Sequence, residues 1–271
     1  HAGPRILPAE DEDVSAAVAS GFRKSGIEVK EGFGAIDSFE TTPTGVRMNF
    51  SKDGHRESAE AALAVTAVGW LANTAGLDLH NAGVETDNRG FIRVDNFLCT
   101  SASHVFAAGD VTGRLMLAPQ AIHDGFIAGT NAVKGLTMEV PPRVAPIGSF
   151  TDPEYAQVGL TEAQARAGHD VVLAKINFDS TTRTIIDGRT DGFCKLIVER
   201  RKREILGCHV VGERAVEIAQ VAAVAMAGGM RVDEFAQVPL SFPTYAGVLS
   251  RVAANATRQL NLSVPSQVEV A

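Results

Sequence analysis

The sequence predicts an α/β chain that gives way, after about residue 140, to an α+β unit. Three observations carry that expectation. Through the first half, a helix near residues 12–26 stands beside a strand meander, and a short apolar strand ending in Gly109-Asp110 feeds a helix from Leu117. Pro141-Pro142 then interrupts the chain, and such pairs punctuate regular structure rather than extend it. Beyond the break, strand-like runs follow one another before an alanine-rich helix, which suits a sheet with helices on one side. That interruption places a domain boundary near residue 140.

The elements can be justified in order. Ala9-Glu10-Asp11-Glu12-Asp13 sets acids before a helix with apolar positions Val14, Ala17, Val18 and Phe22, ending at Gly26. Ile27, Val29, Phe33 and Ile36 begin short strands. Val46-Arg47-Met48-Asn49-Phe50 alternates, Ser51-Lys52-Asp53-Gly54-His55 turns, and the run from Ser58 to Val68 returns as an apolar strand. That strand ends at Gly69, a strand-ending turn. Gly90-Phe91-Ile92-Arg93-Val94-Asp95 leads into Thr100–Asp110, a short apolar strand closed by Ala107-Ala108-Gly109-Asp110. Leu117-Ala118-Pro119-Gln120 opens a helix through Ala121, Ile122, Ile127, Ala128 and Val133, with Pro119 suited to its first turn. After the break, Thr161 and Gln164 predict a capping box for a short helix that stops at Gly168. Strands run through Val171–Phe178, Gly192–Glu199 and Ile205–Gly212. A helix from about Ala215 presents Val216, Ala219, Gln220, Ala223, Met226 and Ala227 to the core or to a dimer interface.

Composition bounds the function. At 271 residues, 45% hydrophobic and 21% charged, the chain has the make-up of a soluble globular protein. A net charge of −7 without a long basic run argues against nucleic acid or an anionic membrane and favours small-molecule partners. No apolar stretch approaches the roughly 20 residues that span a bilayer. His1-Ala2-Gly3-Pro4-Arg5 lacks the apolar core of a signal peptide, so a cytoplasmic location is expected. Cys99, Cys194 and Cys208 form no CxxC or CxxxxC pair and read as small buried hydrophobes. The histidines lack metal-ligand spacing, so no metal site is expected and the chemistry has to come from a cofactor.

The candidate site lies between Ala107 and Gln120. In an open α/β sheet a ligand sits past the carboxyl ends of the strands, where small residues allow close approach and the carboxylate of Asp110 can accept hydrogen bonds from hydroxyls. The helix that follows offers free N–H groups and partial positive charge, which suit a developing anion. The segment resembles the second FAD-binding motif of the pyridine nucleotide-disulfide oxidoreductases, the flavoenzymes that include dihydrolipoamide dehydrogenase, glutathione reductase and mercuric reductase. The resemblance implies an FAD site at Gly109, Asp110, Leu117, Ala118 and Pro119. Asp110 is then expected on the ribityl chain and the backbone of Leu117 and Ala118 against the isoalloxazine.

Other segments resemble the same family, in family order. Ala67-Val68-Gly69-Trp70-Leu71-Ala72-Asn73-Thr74 with Gly76-Leu77 is similar to the A-x-G-R-x-P-N-T-x-G-L crossing from the NAD domain to the FAD domain, which implies Gly69 near the nicotinamide half of NAD(P)H. Trp70 and Ala72 replace the usual Arg and Pro, leaving the choice between NADH and NADPH open. Gly90–Asp95 matches the family's G-x-I-x-V-D segment, and Phe150–Glu162 its F-T-x-P-E-x-A-x-V-G-L-T-E opening of the interface domain. The resemblance therefore implies the end of an NAD(P)-binding domain in 1–72, the returning FAD segment in 73–140, and a dimerisation domain of a homodimer in 141–271. The family's Gly-rich turns and redox CxxxxC have no counterpart, so the chain is expected to be the C-terminal portion of such an enzyme.

The last motif departs from the family. Disulfide reductases carry H-x-H-P-T-x-x-E, in which a Glu-oriented His moves a proton. Here Phe242 takes the His position and Gly247 the Glu position, which leaves Tyr245 as the remaining proton-carrying candidate and its catalytic residues otherwise unassigned. A dithiol acceptor is disfavoured; a metal ion, a quinone or a second nicotinamide remain, and the C-terminal tail 263–271 lacks the paired cysteines usual in mercuric reductases. The alternative is a non-catalytic dimerisation fragment of such an enzyme.

Overall fold

A computed structural model describes residues 1–141 and 144–263. Pro142 of the expected break and the tail from Val264 lie outside the described residues. The described chain forms two compact units, one from His1–Ala64 together with the residues from Val144 onward, the other from Val65 to the break.

The first unit begins with α1 (Glu12–Lys24), flanked by Glu12 and Asp13 in its first turn and Arg23 and Lys24 in its last, matching the helix dipole at both ends. Three antiparallel strands follow, β1 (Ala35–Thr42), β2 (Gly45–Lys52) and β3 (His55–Ala61), in the order β1-β2-β3. After the break come β4 (Ile147–Ser149), β5 (Tyr155–Gly159), α3 (Glu162–Gly168), β6 (Val171–Asn177), α4 (Thr182–Ile186), β7 (Phe193–Glu199), β8 (Ile205–Val211), α5 (Ala215–Ala227), α6 (Val232–Phe235) and α7 (Gly247–Gln259). The five strands make an antiparallel sheet ordered β4-β5-β8-β7-β6. The expected capping box is present, with the Gln164 amide N–H donating to Thr161 Oγ1 at 3.3 Å and the Thr161 N–H donating to Gln164 Oε1 at 2.9 Å.

The period of two divides this sheet into unlike faces. Ala156, Val158, Cys194, Leu196, Cys208 and Val210 point to one side and make the main core with α5, α6 and α7. The opposite side carries Phe193 and Val211, which pack with Val14 and Val18 of α1, and Ile197, which packs with Ala165 of α3. Between those apolar patches runs a polar row in register, Gln157 beside His209, His209 beside Lys195, and Lys195 beside Lys175. The helix at Gly21 sits so close to Pro153 that an added Cβ would come within 2.4 Å of the proline ring.

The second unit is organised around α2 (Ala118–Lys134). Buried Asn131 knits its last turns to the chain on both sides: its Nδ2 donates to Phe97 O (2.9 Å) and Met138 O (2.7 Å), and its Oδ1 accepts from the Thr137 and Met138 amides. Val84, Ile92 and Ala107 form one small core, and Leu98, Ile127 and Ala128 another.

The mixed helix-and-sheet class and the α+β C-terminal part are as the sequence predicts. Among the described residues every named strand pair is antiparallel. The strand expected through Val68 stops at Ala61, and the run Leu63–Leu71 continues without a ladder, with Leu63, Val65, Val68 and Leu71 exposed. Apolar β-formers supply propensity, but a strand needs a partner edge, and none of the described segments offers one there. No described helix is long and apolar enough to cross a membrane.

Candidate cofactor site

Four of the five predicted flavin residues lie on one turn-and-helix unit with Gly109 against its start. Cys99 and Phe106 form a single antiparallel bridge, with the Ala107 amide donating to Leu98 O at 3.1 Å, so the chain arrives at Gly109 extended. Gly109 has φ +77°, a region open to glycine, and a Cβ there would lie 3.3 Å from the Cβ of Ala121 in the first turns of α2. The turn is closed by Thr112, whose amide and Oγ1 both donate to Gly109 O, at 3.0 and 2.8 Å.

That closure leaves Asp110 exposed at the surface of the turn, and its carboxylate has no hydrogen-bond or ion-pair partner among the described residues. Leu117 occupies the N-cap of α2 in an extended conformation without a side-chain cap, and Pro119 falls in the first turn, where a missing N–H costs no helical bond. The first-turn amides of a seventeen-residue helix are thus unclaimed by a capping side chain. Accepting oxygens on Asp110 and donating amides at Ala118 and Gln120 make a cradle for a ligand that carries both hydroxyls and an anionic edge. FAD has both, and the residues present fit it.

Gly69 has φ +109°, and nothing lies within 4 Å of where its Cβ would be, so the backbone there is open to a ligand. Its neighbourhood is fixed by Arg89, whose Nη2 donates to Trp70 O, by the Ala72 amide donating to Arg89 O at 3.2 Å, and by Thr74 Oγ1 donating to Gly90 O at 2.9 Å. Trp70, at the family's Arg position, is 72% exposed.

The C-terminal candidates sit in the other unit. Phe242 is 71% exposed, and Gly247 is the first residue of α7, its amide donating to Thr244 Oγ1 at 3.2 Å. Tyr245 is half-buried against the main core, and its hydroxyl donates to Asp187 Oδ2 at 2.8 Å. Arg183 Nε donates to the same oxygen at 2.8 Å. Burial, then the bond to the Asp187 carboxylate, pushes the Tyr245 phenol up to about 12, and the phenol and Arg183 hold Asp187 below the usual carboxylate range. These groups, with Glu213, Arg214 and Thr244, line an open pocket of about 270 Å³. The sequence reading missed Asp187 and Arg183, because the Tyr–Asp contact spans 58 residues.

The three cysteines are buried and unpaired. Burial pushes Cys99 up, while Cys194 is pushed well above the ordinary thiol value by its contact with Cys208 and by burial. Among the described residues no cluster of histidine, cysteine and carboxylate could hold a metal ion.

Comparison with known proteins bears on the family and the fold. The pyridine nucleotide-disulphide oxidoreductase family matches residues 1–125, and the dimerisation domain of the same family matches residues 145–253. The chain is 33% identical to a dihydrolipoyl dehydrogenase of Mycobacterium tuberculosis over 91% of its own length and 53% of the relative's. It is 31% identical to a mercuric reductase of Bacillus cereus over 89% of its length and 38% of the relative's. Among solved structures, LpdA from Mycobacterium tuberculosis superimposes with a TM-score of 0.83 at 27% identity, covering 94% of this chain and 55% of that one. The flavoprotein disulfide reductase RclA from Escherichia coli shares the fold, with a TM-score of 0.84 at 24% identity, covering 94% of this chain and 57% of that one. The chain spans about half the length of the curated dihydrolipoyl dehydrogenases it matches.

Proposed function

Since the chain belongs to the pyridine nucleotide-disulphide oxidoreductase family, we propose that it is part of an FAD-dependent enzyme that takes hydride from NADH or NADPH and passes electrons to an acceptor. The observation that carries this reading is the Gly109-Asp110 turn set against the uncapped start of α2. FAD, when bound, supplies a ring that accepts hydride and releases electrons. The chain's own part is to hold it. Asp110 accepts from ribityl hydroxyls, and the amides and dipole of α2 stabilise negative charge on the ring edge. Gly69 leaves room for the nicotinamide nucleotide to reach the backbone.

The acceptor is constrained by Phe242 and Gly247. Neither carries a proton, and Tyr245, with its proton committed to Asp187, is held far from the neutral range in which a general acid works best. We therefore assign Tyr245 to positioning the 241–247 segment and favour an acceptor that needs no protein acid, such as a metal ion, a quinone or a second nicotinamide, over a dithiol. The dimerisation-domain match supports a homodimer. Unpaired buried cysteines support a cytoplasmic setting.

A second reading has its own observation. The five-stranded sheet with α5 and α7 has a contiguous core of its own, so this part can fold and pair as a dimerisation module without a cofactor. Titration of the chain with FAD, followed by anaerobic addition of NADH or NADPH, separates the two. Flavin binding and loss of its oxidised absorbance on adding the nucleotide support the enzyme; a dimer that ignores FAD supports the module.

A further inference from the structure

Lys195 is 3% exposed within the apolar run Phe193–Val198, and its ammonium donates to three carboxylates: Glu162 Oε2 at 2.6 Å, Asp11 Oδ1 at 2.9 Å and Asp13 Oδ2 at 3.0 Å. Asp11 is equally buried, at 2%, and serves two helices at once. Its Oδ1 accepts from the Asp13 amide at 3.1 Å in the first turn of α1, and its Oδ2 accepts from the Glu162 amide at 2.9 Å at the start of α3. One carboxylate thus satisfies orphan donors of both helix starts while Lys195 balances its charge.

The segment so held is also knit to itself. His1 and Lys30, Gly3 and Gly32, and Ile6 and Glu31 are joined by hydrogen bonds, so the two ends of residues 1–32 are tied together. Its apolar contact with the sheet centres on Val14, Val18, Phe193 and Val211, with Ile6, Leu7, Ala17, Phe22 and Tyr155 packed around them; of its other ion pairs with the rest of the chain, Lys175 with Asp13 and Lys24 with Asp191, the second is exposed and contributes little. We propose that Asp11 and Lys195 form an electrostatic latch that holds the N-terminal strap against the five-stranded sheet, and that neutralising either member lets the strap open locally while the sheet and its main core stay folded.

The charges that face the latch balance. From β6, Lys175 Nζ lies 3.4 Å from Asp13 Oδ2; from α3, Arg166 donates to Glu162 at 2.8 Å; from β8, His209 donates from Nε2 to Leu160 O at 2.9 Å, with no partner for Nδ1 among the described residues. Before α1, Glu10 is part-buried, and Arg5 donates to backbone carbonyls at Leu7, Pro8 and Glu10 and to Ser15 Oγ. Lys195, Lys175 and Arg166 face Asp11, Asp13 and Glu162. Removing Lys195 leaves Asp11 buried without an ion-pair partner among the described residues.

Hydrogen exchange by mass spectrometry on the full chain, at neutral pH, tests the latch. In Lys195→Met, amides of α1 and of the first turn of α3 are expected to exchange about 10²-fold faster, because a buried charge has lost its partner. In Asp11→Asn a single acceptor oxygen can serve only one of the two helix starts, and exchange at α1 or α3 rises about fivefold. Rates in β7, β8, α5 and α7 stay as in the wild type. Unchanged rates in α1 and α3 of Asp11→Asn, or an equal acceleration across β7 and β8, overturn the proposal. If Lys195→Met gives no folded protein, Asp11→Asn decides alone.

Discussion

Replacing Asp110 with Ala separates a ligand-binding role from a structural one. The carboxylate is exposed and has no partner among the described residues, so nothing inside the fold loses a hydrogen bond when it is removed. Exposed substitutions of this kind change stability by roughly ±0.5 kcal/mol. A hydroxyl donating to a charged acceptor is worth about 1.5–3 kcal/mol, which corresponds to about 10–150-fold in affinity. Asp110→Ala is therefore expected to leave denaturant unfolding unchanged and to weaken FAD binding by that factor, read from the quenching of flavin fluorescence on titration. Asp110→Asn keeps an acceptor without the charge and falls between. Asp95 is the internal contrast: its Oδ1 accepts from the Phe97 and Cys99 amides at 2.8 and 3.0 Å, so Asp95→Ala costs about 1–3 kcal/mol of stability through an unsatisfied donor. An Asp110→Ala protein that binds FAD as tightly as the wild type refutes the assignment, and one that unfolds more readily with unchanged affinity shows that the turn, not the ligand, needs the carboxylate.

Further expectations follow from the titratable groups. Against a burial cost that pushes them up, hydrogen bonds to Lys195 hold Asp11, Asp13 and Glu162 low, joined by the Glu162 amide at Asp11, Lys175 at Asp13 and Arg166 at Glu162, and such carboxylates add stability above their ordinary values near 4 that is lost as pH falls through their lowered ones. Burial lowers His209, so below about 6.5 the unfolded chain takes a proton that the folded one refuses. Unfolding free energy should thus begin to fall on the acid side near that value and steepen near 4, and a flat profile between the two counts against a neutral buried His209. The Tyr245 phenol should ionise at about 12, and Asp187→Asn should bring it down toward 10 in an ultraviolet pH titration with Tyr245→Phe as the blank; no movement would mean that the 2.8 Å bond is absent in solution. Cys99, Cys194 and Cys208 should resist alkylation until denaturant is added, and rapid labelling of the native chain contradicts their burial.

What the sequence made legible was local. Thr161 and Gln164 stand three residues apart and cap one turn, Pro119 suits the first turn of a helix wherever that helix packs, and Gly109 answers a backbone requirement at one position. Each signal is complete within a few residues, so reading it needs no knowledge of the remainder. The Val171, Phe193 and Ile205 strands were legible for a related reason: alternation or continuous apolar character marks a strand before its neighbour is known.

The latch was only half legible, and the reason is physical. A lysine inside the buried run Phe193-Cys194-Lys195-Leu196-Ile197 is itself a signal, because an ammonium does not enter a core without carboxylates to receive it. Its partners are not marked in the sequence, since Asp11 lies 184 residues away and acids before a helix read simply as dipole complements. The run Leu63–Leu71 poses the converse case: apolar on successive residues, it has the composition of a strand covered on both faces, yet here it is exposed and unpaired. In parallel sheets the neighbours of such a strand come through crossovers of a dozen or more residues. A buried lysine and a bare apolar run thus ask the same question of distant residues, and among the described residues only the first is answered.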